Sequence, residues 1–144
     1  MALQLGRAPL LRPVAALAGW TFVMQTWMHV TRIQALSKYN CSLEPDQVKE
    51  DVNKKIPIGI AQIADNYNHL HEQPTVFYAV ALSLAMIGEG HEYTVYAAWG
   101  YVGMRIIHSM FQSLVNKVLV RFQIFAGSSV VLAGLTGRLA QLVF

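Results

Sequence analysis

The sequence predicts an all-α fold, an integral membrane bundle of four up-and-down helices, and three observations lead to this prediction. Charged residues make up only 13% of the 144 residues and apolar residues 54%, whereas soluble domains carry about 25% charged residues. Four apolar segments are each long enough to cross a bilayer, which takes about 20 helical residues. Two of the three links between them are short, and short links place consecutive helices antiparallel. We expect a single domain over residues 1–144.

The first apolar segment covers about residues 13–36 and follows a basic N-terminus that carries Arg7 and Arg12 but no acidic residue. A signal peptide starts in the same way, but this apolar run exceeds signal length and contains no small-residue cleavage site. We therefore expect it to be retained as a membrane span. The other predicted spans are about 58–87, 93–115 and 118–144, and the first link, 37–57, is polar.

The distribution of basic residues predicts the orientation in the membrane. The links 37–57 and 116–117 hold five lysines, whereas the opposite side combines a few arginines with Glu89 and Glu92. Cytoplasmic loops carry an excess of Lys and Arg, so these two links are predicted to be cytoplasmic and both termini to lie on the opposite side. The basic residues form no stripe with interleaved aromatic residues, which argues against a nucleic-acid partner.

Polar side chains recur along one face of three predicted spans. The faces consist of Gln62, Asp65, Asn68, His69 and Glu72 on the second span, Arg105, His108, Gln112 and Asn116 on the third, and Gln25, His29 and Arg32 on the first. Each set follows the spacing of about 3.6 residues per helical turn. All three faces reach the membrane end near links 37–57 and 116–117, so the sequence predicts a hydrated polar pocket there.

These polar faces also have a purely structural interpretation. Asp65 or Glu72 could pair with Arg105 to hold helices together, because charges inside a membrane are usually paired. One or two pairs would suffice for that role, whereas here three helices each carry a polar face with a histidine. We therefore interpret the set as a functional pocket.

A metal site is a further interpretation of the same residues. His29, His69, Glu72 and His108 could converge, and imidazole with carboxylate suits Zn or Fe. The sequence lacks the Glu-x-x-His repeat of di-iron bundles, and its one cysteine, Cys41, excludes an internal disulfide. We therefore do not predict that this chain binds a metal.

Two stretches carry a resemblance to a known family. The first is NHLHEQPTVFY, from Asn68 to Tyr78, and the second runs from Arg105 to Arg121 with His108 and Gln112 between them. They resemble the helix-two signature and the third-helix site wall of MAPEG, the membrane-associated proteins in eicosanoid and glutathione metabolism. The first stretch is most similar to a bacterial branch of that family, and the second to its microsomal prostaglandin E synthase type.

The resemblance implies a homotrimer that binds glutathione between subunits near the cytoplasmic face. It also implies conjugation of glutathione to lipophilic electrophiles, reduction of lipid hydroperoxides, or eicosanoid synthesis. Arg121 corresponds to the arginine that stabilises the thiolate, and Glu72 to the glutamate that binds the amino end of glutathione. The remaining candidate glutathione-binding residues are Asn68, His69, Arg105, His108, Gln112, Arg32 and Asp65.

The chain also departs from the family pattern. His69 stands where the family has Asn, and Gln112 and Phe125 stand where it has tyrosines. The family also has arginines before that Asn, where this chain has Asp65 and Asn66. Three hypotheses follow: a glutathione-dependent transferase or peroxidase, a trimeric accessory membrane protein without glutathione chemistry, and a metal or haem enzyme. The lost tyrosines and arginines favour the second hypothesis over the first, whereas the retained Arg121 favours the first, which we prefer.

Overall fold

A computed structural model describes residues 9–144, so Arg7, part of the topology argument, lies outside the described residues. Within them the chain forms six helices and no strand, which confirms the all-α prediction. The helices are α1 (Leu11–Lys38), α2 (Val48–Lys55), α3 (Ile58–His69), α4 (Gln73–Met86), α5 (Glu92–Leu114) and α6 (Val118–Val143).

The first link is partly structured by the short helix α2. Its acidic residues lie in the first turn and its lysines in the last, which complements the helix dipole. The backbone N–H of Ser42 donates to Asp51 Oδ2 over 2.7 Å, and Lys55 Nζ lies 2.9 Å from the same oxygen. These contacts hold the pKa of Asp51 below its ordinary value, with the Ser42 N–H as the larger cause.

The second predicted span is two helices, so the prediction of one helix over 58–87 was wrong. Helix α3 ends at His69 and α4 begins at Gln73, and Glu72 between them has a non-helical backbone, with φ −89° and ψ −97°. Pro74 explains the break. Its ring would clash with the carbonyl four residues earlier in a continuous helix, and it disfavours helical geometry at the preceding residue. Pro74 is instead tolerated in the first turn of α4.

Among the described residues, α6 alone combines the length and hydropathy typical of a membrane span, with a mean hydropathy of 1.8 in its most apolar window. Helices α3 and α4 have only 12 and 14 residues because of the break. Polar side chains such as Arg105 and His108 interrupt the apolar face of α5. The four spans 13–36, 58–87, 93–115 and 118–144 therefore stay predictions, as does the single domain.

The apolar core lies between α1, α4, α5 and α6, towards the end of the bundle that holds link 88–91. Phe77 stacks on Tyr101 with ring centroids 4.6 Å apart, and Leu17 and Leu84 are fully buried beside them. A smaller apolar cluster around Met24 holds α1 against α3. This packing brings the end of α3 against the second half of α5 and the first turns of α6, where the polar residues are.

Candidate functional site

A cavity of about 190 Å³ opens where α3 ends and α6 begins. It is lined by His69, His108, Gln112, Val118, Arg121, Phe122 and Phe125. Four of these were predicted from the sequence as site residues, and they come from three different helices. The structure therefore brings these four residues together at the end of the bundle that holds residues 115–117.

Phe125 lies at the centre of the polar residues in this cavity. Its ring centroid is 5.3 Å from that of His69, 6.2 Å from that of His108 and 5.6 Å from the Arg105 guanidinium carbon. The two imidazole rings are themselves 5.2 Å apart. An aromatic ring beside a guanidinium stabilises the cation through its π face, but phenylalanine offers no hydrogen bond.

Arg105 is the largest fully buried side chain among the described residues. Its Nη2 donates to the backbone carbonyl of His69 over 3.2 Å, whereas Nε and Nη1 have no hydrogen-bond partner within residues 9–144. No carboxylate of the described chain forms an ion pair with it. A buried cation with unused donors is costly in a folded protein, and a bound anion would supply the missing acceptors.

Arg121 enters the cavity from the first turn of α6. Its Nη1 donates to Asn116 Oδ1 over 2.8 Å, which fixes the guanidinium above the link between α5 and α6. Asn116 has a positive φ of 51°, a conformation that asparagine tolerates better than most residues. The N-terminus of a helix carries partial positive charge, so Arg121 adds to an existing positive potential at the cavity.

Glu72 does not pair with Arg105, contrary to one of the pairings expected from the sequence. Its Oε2 lies 2.5 Å from Nδ1 of His69, and its side chain is 65% exposed. The break before α4 explains the difference, because Glu72 lies in the turn and no longer on the inner face of a continuous helix. The pair it forms still belongs to the cavity, since His69 lines it.

The buried face of α3 is not the polar face that was predicted on the second span. Asp65 and Asn68 are exposed, and the buried face of α3 instead carries Ile63 and Asn66. Asn66 Nδ2 donates to Ser109 Oγ over 2.7 Å, which ties α3 to α5. Apolar packing against α1 and α5 set the rotation of α3, and the polar periodicity alone could not show it.

Two predicted residues of α1 stay away from the cavity. Arg32 is partly buried and His29 is exposed, and neither lines the cavity. His71, which is not part of the predicted polar faces, is exposed, and its Nδ1 lies 2.9 Å from the Tyr67 carbonyl oxygen. The described residues contain no group of three or more His, Cys, Asp or Glu side chains that could hold a metal.

Sequence reasoning missed a second polar network deeper in the bundle. Gln73 Nε2 donates to Ser129 Oγ over 2.6 Å, and Gln73 Oε1 lies 3.4 Å from both Tyr101 Oη and Ser128 Oγ. Gln73 directly precedes Pro74, so its position in the first turn of α4 was the available signal. The network fixes the start of α4 against α5 and α6, and thereby the turn that holds Glu72.

Comparison with known proteins identifies one family. The model of the MAPEG family matches residues 10–141, nearly the whole chain. No curated protein and no solved structure gives a match.

Proposed function

The chain belongs to the MAPEG family, whose members are membrane proteins of glutathione and eicosanoid metabolism. From this premise we propose that the protein has a glutathione-dependent activity. We infer that it is a transferase or peroxidase that acts on lipophilic electrophiles or lipid hydroperoxides. The membrane would supply such substrates by partition, and glutathione would enter from the cytoplasm. The orientation that this requires is the one predicted from the lysines of the first and third links.

The observation that carries the proposal is a pair of cations at the cavity that form no ion pair with a carboxylate of residues 9–144. Arg121 lines it, and Arg105 is buried behind Phe125 with two nitrogen atoms that have no acceptor among the described residues. Glutathione offers two carboxylates and a thiol that becomes an anion when it reacts. Arginine is the side chain best suited to bind such oxygen anions, and a nearby cation favours a thiolate.

The residues suggest a division of roles. Arg121, beside the positive end of α6, would stabilise the thiolate, which is the nucleophilic form of the thiol. Arg105 would bind a glutathione carboxylate, and Glu72 is exposed enough to receive the ammonium group. Val118, Phe122 and Phe125 give the same cavity an apolar wall that suits a lipophilic electrophile.

We also propose a homotrimer with the second predicted spans near the threefold axis, so that glutathione lies between neighbouring subunits. The exposed carboxylates Asp65 and Glu72 on α3 and the following turn would then face a neighbouring chain. Mass measurement in mild detergent tests the assembly. A trimer supports the proposal, and a monomer or a dimer contradicts it.

The activity is tested by titrating the detergent-purified protein with glutathione and by following conjugation to an aryl halide. We expect measurable binding and weak conjugation. Arg121→Ala should abolish conjugation while the oligomer stays intact, and Arg12→Ala, at an exposed position of α1, is the matched control. Full activity of Arg121→Ala would exclude Arg121 as the thiolate partner.

A second candidate function is a trimeric accessory protein that keeps the fold without glutathione chemistry. Phe125 is the observation that favours it, because no hydroxyl is present at the centre of the cavity where a thiolate would need one. In that case Arg121 and Arg105 would hold a lipid phosphate or carboxylate. A wild-type protein that neither binds glutathione nor conjugates it would support this alternative.

A further inference from the structure

We propose that His69 and Glu72 form a histidine–carboxylate pair that removes the proton from the thiol, with His69 as the general base and Glu72 as its positioning residue. The inference rests on the proposed function and states how the same site would activate its thiol.

The geometry of the pair is that of an oriented base. Nδ1 of His69 lies 2.5 Å from Oε2 of Glu72, and because an ionised carboxylate can only accept a hydrogen bond, this contact requires the proton on Nδ1. A carboxylate in this position fixes the tautomer and leaves Nε2 without a proton and able to accept one. His69 lines the cavity, and Nε2 makes no hydrogen bond to any described residue.

The turn between α3 and α4 holds the two side chains in this arrangement. His69 is the last residue of α3, and its carbonyl is fixed by Nη2 of the buried Arg105 at 3.2 Å. Glu72 precedes α4, whose start is bound to α6 through Gln73 and Ser129 at 2.6 Å. Both members of the pair therefore rest on backbone that is anchored to the bundle.

His108 is the competing candidate, since it lines the same cavity and is only 2% exposed. Its ring has no carboxylate partner within residues 9–144, so nothing comparable fixes its tautomer. The charged and titratable groups that face His69 come from three elements: Glu72 before α4, Arg105 and His108 on α5, and Arg121 on α6. Among them, Glu72 is the group that can orient a proton acceptor.

The proposed step balances for an aryl halide. The S–H bond of the thiol breaks, its proton moves to Nε2 of His69, and the electron pair stays on sulfur beside Arg121. The sulfur then forms a bond to the aryl carbon, and the bond from that carbon to the halogen breaks with departure of halide. His69 finally releases the proton to water, which restores the neutral imidazole.

The test measures thiolate formation directly, by the ultraviolet absorbance of glutathione bound to the detergent-solubilised protein as the pH is raised. In His69→Gln we expect the thiolate to form at higher pH than in wild type, with glutathione still bound. The conjugation rate at neutral pH should fall by roughly 10²-fold, the scale of general-base catalysis. His71→Gln is the matched control, because that exposed histidine does not line the cavity.

Glu72→Gln tests the positioning role. With glutathione at saturating concentration, so that weaker binding of its ammonium group does not contribute, Glu72→Gln should shift the pH dependence in the same direction. The loss of rate should be smaller than that of His69→Gln, and Glu72→Asp should restore part of it. If His69→Gln has the wild-type absorbance profile and rate, the pair is not the base and the inference alone is overturned. If His69→Gln does not fold, an unchanged profile in Glu72→Gln overturns it. A wild type that binds no glutathione overturns the proposed function and the inference together.

Discussion

The buried guanidinium of Arg105 donates to the carbonyl oxygen of His69 over 3.2 Å, which joins the middle of α5 to the last residue of α3. This carbonyl belongs to the last turn of α3, where the same helix offers it no later N–H, and it also accepts the backbone N–H of Glu72 in the following turn at 3.4 Å. Arg105 is therefore a second donor to this helix end, while its Nε and Nη1 have no hydrogen-bond partner among residues 9–144. Arg105 thus holds α5 against the end of α3 and also lies beside Phe125 at the cavity.

Arg105→Met should separate these two roles. Methionine fills a similar volume without the charge, and a buried charge that lacks a partner is costly to keep in the fold. We expect the melting temperature in detergent to be maintained and glutathione affinity to fall by about tenfold to a hundredfold, the scale of a charge-assisted hydrogen bond. Arg12→Met is the control, and unchanged affinity in Arg105→Met would contradict a ligand role.

The residues of α5 and α6 show what the sequence could predict. His108 and Gln112 were predicted from their spacing along the third span and Arg121 from the resemblance to the family, and the structure places all three in one cavity. Local periodicity sufficed for the two residues of α5 because that helix continues without a break across the site.

The second predicted span shows what could not be predicted. The polar spacing of Asp65, Asn68 and Glu72 assumed a single continuous helix, but Pro74 breaks it and the packing of Ile63 against Met24 rotates α3. The proline was visible in the sequence and indicated the break. The rotation depends on contacts with other helices, which no local pattern contains.

Phe125→Tyr should increase activity if the proposed function is right. Phe125 lies within about 6 Å of both imidazole rings and of Arg105, so a hydroxyl there would reach the anion that these groups surround. We expect a severalfold higher conjugation rate and thiolate formation at lower pH. Phe22→Tyr, on the exposed side of α1, is the control. An unchanged rate would indicate that the thiolate lies elsewhere.

The predicted orientation can be tested at Cys41, the one cysteine of the chain. Cys41 lies in the first link, which is predicted to be cytoplasmic because of its lysines. A membrane-impermeant thiol reagent should label Cys41 after cells are opened but leave it unlabelled in intact cells. A Cys41→Ser variant measures the background. Efficient labelling of intact cells would reverse the orientation and place the cavity on the outer side.

The ion pair between Glu89 and Arg138 should make stability depend on pH at the opposite end of the bundle. Oε2 of Glu89 accepts from Nε and Nη2 of Arg138 at 3.1 and 2.8 Å, and its Oε1 accepts the His91 N–H at 2.7 Å. The His91 N–H, followed by Arg138, holds the pKa of Glu89 below its ordinary value of 4.5. A group with a lowered folded-state pKa stabilises the fold fully above the ordinary pKa.

That stabilisation should be lost as the pH falls from 4.5 through the lower folded-state pKa of Glu89. Glu89→Gln should lower the free energy of unfolding by about 1.5–3 kcal/mol at neutral pH, the range of hydrogen bonds to charged groups. The difference in stability between Glu89→Gln and wild type should shrink as the pH falls below 4.5, because protonated wild type also lacks the carboxylate charge. Thermal unfolding in detergent across that range measures both effects, with Glu44→Gln in the exposed first link as control. A destabilisation that is the same at all pH values would show that the charge of Glu89 contributes nothing and that only its shape matters.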